Sequence, residues 1–150
     1  MRPSHPVVGV GGVLVHEGKV LLIRRGKEPL KGRWVVPGGT VELGEGLEAA
    51  LVREMEEETG LIVRPLELLT VFDRIERGDD GHVAWHFVIA DYLCERVTGV
   101  PRAGSDAEEV ALVAPEDLAA FDLPAKALEV VRHGLDRVAA RGLVAAPGTE

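Results

Sequence analysis

The stretch from Gly46 to Thr59, GLEAALVREMEEET, constrains this chain more than any other. It contains no proline and few β-branched residues, and it is rich in Leu, Ala, Glu and Met up to the stop signal Gly60. A helix is expected there. On a helix advancing about 100° per residue, Glu54, Glu57 and Glu58 stand at i, i+3 and i+4 and share one face, with Ala50 a turn earlier. Leu47, Leu51 and Met55 fall beside that stripe, so the carboxylates border the side that packs on the core, whereas Glu48 and Glu56 lie elsewhere. Like charges at these spacings repel by about a few tenths of a kcal/mol per pair. Acids near a helix C-terminus also oppose the helix dipole, by roughly 0.3–1 kcal/mol each. A hard divalent cation would offset both effects, because Mg²⁺ prefers oxygen ligands and commonly takes one or two carboxylates plus substrate phosphates. The competing reading is a solvated acidic face.

Around this helix the chain alternates apolar runs with turn signals. VVGVGGVLVHEGKVLLIRR reads as two strands joined at Glu17-Gly18 in a β-hairpin. The polar GKEPLKGR is expected as a surface loop, and WVVP as a short strand closed by Pro37. Gly38-Gly39 then allows a tight turn in which backbone approaches a ligand closely. LIVRPLELLTVFDRI and HVAWHFVIADYLCERV read as two long antiparallel strands around the turn-like ERGDDG. The sequence predicts a short strand at VALVA, a helix at PEDLAAF opened by Pro115, a last helix from Pro124 through AKALEVVRHGLDRVAA, and a frayed APGTE tail.

With 150 residues and 46% apolar content, the chain is expected to form one mixed α and β domain over residues 1–150. Eighteen glycines and nine prolines argue against a helical bundle. A formal charge of −8 counts against a long polyanion such as DNA or RNA as partner, while small phosphates remain open if a metal bridges the charges. Cys94 stands alone, so no intrachain disulfide forms, which suits a reducing cytosol. Val7 to Val15 has the length of a signal-peptide core but is broken by glycines. No apolar run approaches the roughly 18–20 residues that span a bilayer. The expectation is a soluble, cytoplasmic protein without membrane residence, and a homodimer is compatible with the sequence.

Gly39, five residues, Glu45, seven residues, Arg53-Glu54, Met55, Glu56, Glu57-Glu58, Thr59, Gly60 and Leu61 resemble the signature box of the Nudix hydrolases at every defined position. The box covers 23 residues. GRWVVPGG before it and the strand order around it also resemble that family, which extends the likeness over residues 5 to 140. The resemblance implies an α/β/α sandwich around a mixed β-sheet and metal-dependent hydrolysis of a nucleoside diphosphate linked to another group. It makes Glu54, Glu57 and Glu58 ligands of Mg²⁺ or Mn²⁺, the Gly38 carbonyl a further ligand, and Arg53 the group that orients the acids, most simply through Glu45. Such chemistry needs cations to neutralise phosphate oxygens and acidify an attacking water, and a base for that water. Glu54 and Glu57 are candidates for the base, and so is a carboxylate outside the box: Glu108 or Glu109 before VALVA, or Asp79 or Asp80.

Other residues carry two readings each. Arg24 and Arg25 end a strand where a guanidinium reaches a phosphate, or they are a surface pair. Trp34 stacks on a base or, preferably, packs. His86, alternating with Trp85 and Phe87, faces the core or a cleft, with a structural role preferred. Phe121 and Asp122 stand where the family often reads the base, or Asp122 caps the last helix. The proline that many ADP-ribose hydrolases of the family carry about fifteen residues beyond the box is absent, the region reading IERGDD. The tyrosine mark of the diadenosine polyphosphate hydrolases and the SQPWPFPxS run of the NADH group are absent too. A nucleoside triphosphate, deoxy or oxidised forms included, is therefore the expected substrate. ADP-ribose or a nucleotide sugar is the alternative, and a non-catalytic nucleotide-sensing module is the alternative of another class.

Overall fold

In the computed structural model, which describes residues 4–142, the chain winds a mixed sheet outward from its first hairpin. Strand β1 (Val7–His16) turns at Glu17 and Gly18, both at positive φ (53° and 80°), into antiparallel β2 (Lys19–Arg25). Two consecutive left-handed residues give the turn a twist that matches the flanking strands. Further on come β3 (Trp34–Val35), β4 (Gly38–Thr40), helix α1 (Leu47–Thr59), the long antiparallel pair β5 (Ile62–Arg77) and β6 (Val83–Thr98), and β7 (Ala107–Val113). A 3₁₀ helix (Pro115–Phe121) and helix α2 (Ala125–Ala140) complete the described chain. The sheet runs β3-β2-β1-β6-β5, with β4 added to β1 and β7 to β2. Among the described residues the one parallel pairing, β1 with β6, makes it mixed.

Alternation along β1 sends successive residues to opposite faces, and each face carries one helix. At Gly12 an added Cβ would meet Met55 and Leu51 of α1, whereas the side chain of the next residue, Val13, lies against Gly134 of α2. α1 packs on β1, β4 and β5, and α2 on β1, β5 and β6. The two cores follow: Leu14, Leu51, Met55, Leu61 and Tyr92 under α1, and Val20, Leu22, Val113 and Val131 under α2. This is the α/β/α arrangement expected from the sequence. Cys94 belongs to the first core, where burial pushes its thiol up to about 12, so it behaves as a small apolar residue.

Three local expectations change. Gly38-Gly39 is not a turn but most of β4, antiparallel to β1 with Gly11 opposite Gly38. PEDLAAF closes into a 3₁₀ helix rather than an α-helix. The long strands extend past LIVRPLELLTVFDRI to Arg77 and past HVAWHFVIADYLCERV to Thr98. The APGTE tail lies outside the described residues. Among the described residues no helix is long and apolar enough to cross a membrane.

Candidate active site

Arg53, in the second turn of α1, is saturated. Its Nε and Nη2 donate to the two carboxylate oxygens of Glu45 at 2.8 and 2.9 Å, a bidentate pair. Nη2 also donates to the Thr40 carbonyl (3.0 Å), and Nη1 reaches Glu54 at 2.9 Å and Glu57 at 3.3 Å. The guanidinium thus binds the loop before α1, strand β4 and two of the helix acids at once. Hydrogen bonding from Arg53 holds Glu45 down at about 2, so Glu45 stays ionised and serves as the partner that fixes the arginine.

Glu58 faces inward and is 5% exposed. It accepts the Gly38 N–H at 2.8 Å, which ties β4 to α1. Burial pushes its carboxyl up to about 7 despite that bond, and Glu54 and Asp106 nearby push the same way. Glu54, half-buried, is raised by desolvation against the pull of Arg53. Its carboxyl group lies so near Gly39 that a Cβ there would overlap it. The two glycines therefore serve close approach, backbone to strand at Gly38 and backbone to carboxylate at Gly39. Glu57 and Glu56 are exposed.

Glu54 and Glu58 stand at one end of a cleft of about 500 Å³. Its walls include Gly9, Gly11, Gly38 and Gly39 from the sheet, Arg25 and Lys27 from the end of β2 and the loop after it, and Glu54 and Glu58 from α1. Its far side carries Phe72, Arg74, Trp85, His86, Phe87 and Asp91 from the β5–β6 pair.

The structure separates the residues expected outside the box. Arg25 lines the cleft, but Arg24 does not; its Nε lies 2.9 Å from Glu109 across the β2–β7 pair, without hydrogen-bond alignment, and 3.6 Å from Glu108. Arg24 and Glu109 are thus each other's partners, because β2 exposes alternate residues to opposite faces and the ladder shifts register between Arg24 and Arg25. The acid that does reach the cleft from this segment is Asp106, one residue before β7, paired with Lys27 at 2.8 Å. The run AEEVALV is all strand, so the loop ends at Asp106, earlier than the apolar VALVA suggests.

Asp79 and Asp80 sit in the turn between β5 and β6, where Asp80 accepts the His82 N–H, and neither lines the cleft. Trp34 packs edge-on against Phe121 at 5.0 Å, in the α2 core. Asp122 ends the 3₁₀ helix in a left-handed conformation (φ 50°), gives its carbonyl to Arg33, and makes no side-chain cap for α2. His86, expected as structural, lines the cleft. Asp91 and Arg74 belong to no motif in the sequence, although an Asp inside the apolar run FVIADYLC is itself a signal, since a buried strand tolerates a charge only for a reason.

Among the described residues no three of these carboxylates converge closely enough to cage an ion unaided. Glu54 and Glu57 are drawn toward Arg53, and Glu58 toward Gly38. The donor set nevertheless fits a hard cation: all oxygen, partly desolvated, and with a single arginine shared among several acids. Mg²⁺ keeps several waters and needs few protein ligands beside phosphate oxygens, so a closed cage is not required.

A stability prediction follows from Glu58. Its folded value, about 7, stands above its ordinary 4.5, so between those values the folded chain holds more protons than the unfolded one. The contribution is fully present below pH 4.5 and is lost as pH rises through about 7. Asp91, raised by burial to about 6 from 3.8, acts with the same sign. Glu45, held low, acts only as pH falls toward 2. In chelator the melting temperature is expected to fall from pH 5 to pH 8, with Glu58 costing on the order of 3 kcal/mol. Glu58→Gln should flatten that slope; an equally steep slope in the variant counts against Glu58 as its source.

A NUDIX domain model matches residues 3–134. The chain is 42% identical over 105 residues to an ADP-ribose pyrophosphatase of Methanocaldococcus jannaschii, covering 70% of this chain and 60% of that protein. It is 34% identical over 116 residues to a MutT-like protein of Streptomyces ambofaciens, covering 77% of this chain and 68% of that one. Among solved structures, a MutT NUDIX hydrolase from Burkholderia pseudomallei superimposes with a TM-score of 0.75 at 33% identity, over 87% of this chain and 98% of that one. Hydrolases of this kind generally need divalent metal ions. The box, the sandwich and these likenesses agree, and the chain belongs to the Nudix hydrolase family.

Proposed function

We propose that this chain, as one domain, is a pyrophosphohydrolase that cleaves the phosphoanhydride of a nucleoside triphosphate, deoxy or oxidised forms included. The observation that carries the reading is the pairing, in one cleft, of two helix acids (Glu54 and Glu58, with Glu57 exposed on the same helix face) with an aromatic far wall (Phe72, Trp85, Phe87). One end suits polyphosphate and metal, the other a flat base.

Glu54, Glu57 and Glu58, with the Gly38 carbonyl, would hold Mg²⁺ or Mn²⁺, which when bound neutralises phosphate oxygens and acidifies water. Arg53 keeps Glu54 and Glu57 in register and itself remains fixed by Glu45. Arg25, whose charge Glu58 feels, and Lys27, paired with Asp106, bring positive charge to the acid end of the cleft, where phosphate oxygens would lie. Glu54, Glu57 and Asp106 are the carboxylates available as base for the attacking water; Asp106 is released for that role only when Lys27 turns from it to a phosphate.

One further reading has support of its own. The likeness to the M. jannaschii ADP-ribose pyrophosphatase favours ADP-ribose, and a cleft of this size admits either ligand. A nucleotide-sensing module would need the same cleft without turnover. Purified protein with Mg²⁺ or Mn²⁺, screened against nucleoside triphosphates, ADP-ribose and nucleotide sugars, separates the three. Release of a monophosphate and pyrophosphate from a triphosphate is the expected result. Faster turnover of ADP-ribose would replace the main reading, and no turnover at all would leave the sensing module.

A further inference from the structure

Asp91 is 5% exposed, lines the cleft, and has no hydrogen bond or ion pair among the described residues. Its position in β6, opposite Gly11 of β1, is made by that glycine: a Cβ at Gly11 would overlap an Asp91 carboxylate oxygen. The opposite charges it feels come from Arg74 and Lys126, whereas Glu58 feels Glu54, Arg25 and Asp106. Asp91 therefore belongs to the end of the cleft away from α1. Arg74, partly buried, lines the same end without an ion-pair partner among the described residues, beside a Trp85–Phe87 stack with rings 9° from parallel. A buried carboxylate left unpartnered is costly, and such groups persist where a ligand completes them.

We propose that Asp91 and Arg74 read the base of the substrate and select guanine. An ionised carboxylate only accepts, and it offers two oxygens side by side. Guanine presents adjacent N1–H and N2–H donors, which match those oxygens, followed by the O6 acceptor, which matches a guanidinium. Adenine presents a donor beside an acceptor, so one carboxylate oxygen would face a lone pair. Gly9 strips a side chain from the sheet beneath, and the space over Gly11 is taken by the Asp91 carboxylate itself, which holds that group at the floor of the cleft. The inference rests on the nucleotide-hydrolase reading of the same cleft.

The test is equilibrium binding of GMP, IMP and AMP to the wild-type protein with Mg²⁺, by calorimetry, which requires no turnover. GMP should bind about tenfold more tightly than IMP, which lacks the 2-amino group, and more tightly still than AMP. Asp91→Asn, whose amide offers one acceptor and one donor, should bring AMP level with GMP. Equal wild-type affinities for the three overturn the proposal, whatever the folding of the variant. So does an Asp91→Asn protein that melts like wild type and keeps the GMP preference. Loss of ADP-ribose binding in that variant, with the base preference unchanged, would assign Asp91 to ribose hydroxyls instead. Guanine selectivity without hydrolysis would sink the enzymatic reading and keep this one; hydrolysis indifferent to the base would do the reverse.

Discussion

Glu57→Gln is expected to lower kcat by about three orders of magnitude while leaving the melting temperature within a few degrees of wild type. The side chain is exposed and its hydrogen-bond partner, Arg53, keeps Glu45, Glu54 and Thr40 without it. Its contact with Arg53, at 3.3–3.4 Å, is the weakest that arginine makes on the helix and stabilises the fold by at most about 0.5 kcal/mol. Glutamine keeps the volume and removes the charge, so what is lost is affinity for a cation and the stabilisation of charge on the reacting phosphate. Several kcal/mol of that stabilisation correspond to about a thousandfold in rate. Glu58 makes a poorer probe, because its bond to Gly38 mixes folding with chemistry. Turnover measured at rising Mg²⁺ concentration distinguishes weakened cation binding, which recovers partly, from loss of a base, which does not. Activity within tenfold of wild type at all concentrations would remove Glu57 from the proposed site.

The features legible in sequence are those in which local chemistry decides alone. Glu17-Gly18 names its own turn, and the α1 stripe is fixed by helical spacing before any partner is known. Gly38–Thr40 is different: the segment is too short to show alternation, and it becomes a strand only because β1 offers an edge. The same dependence on partners hid the division between Arg24 and Arg25. Nothing local says which of two adjacent arginines faces the cleft when the answer lies in the β2–β7 register. Trp34 resolved toward packing because Phe121, distant in sequence, lies edge-on to it. Asp91 was hidden for a converse reason: its meaning comes from the partners it lacks, and those are visible only once the strand is placed.

The two glycines of β4 separate stability from catalysis. At Gly38 a Cβ would overlap the Val10 carbonyl oxygen and crowd the Gly11 Cα, both backbone atoms of the central strand. Backbone held in a ladder on both sides cannot step aside cheaply: β1 is paired with β6 as well as β4. Overpacking in cores costs about 1–3 kcal/mol, and a clash with fixed backbone belongs at or above the upper end. Gly38→Ala is therefore expected to lose about 3 kcal/mol or more, a fall of roughly 10 °C in melting temperature for a domain of this size. At Gly39 the overlapping atoms are the carboxyl group of Glu54, the far end of a flexible side chain. Gly39→Ala should consequently keep most of its stability and lose activity, since Glu54 would be pushed from the position that Arg53 holds. Thermal unfolding and kcat measured on both variants decide the matter. If Gly39→Ala melted as early as Gly38→Ala, or if Gly38→Ala melted like wild type, the division of labour between the two positions would be wrong.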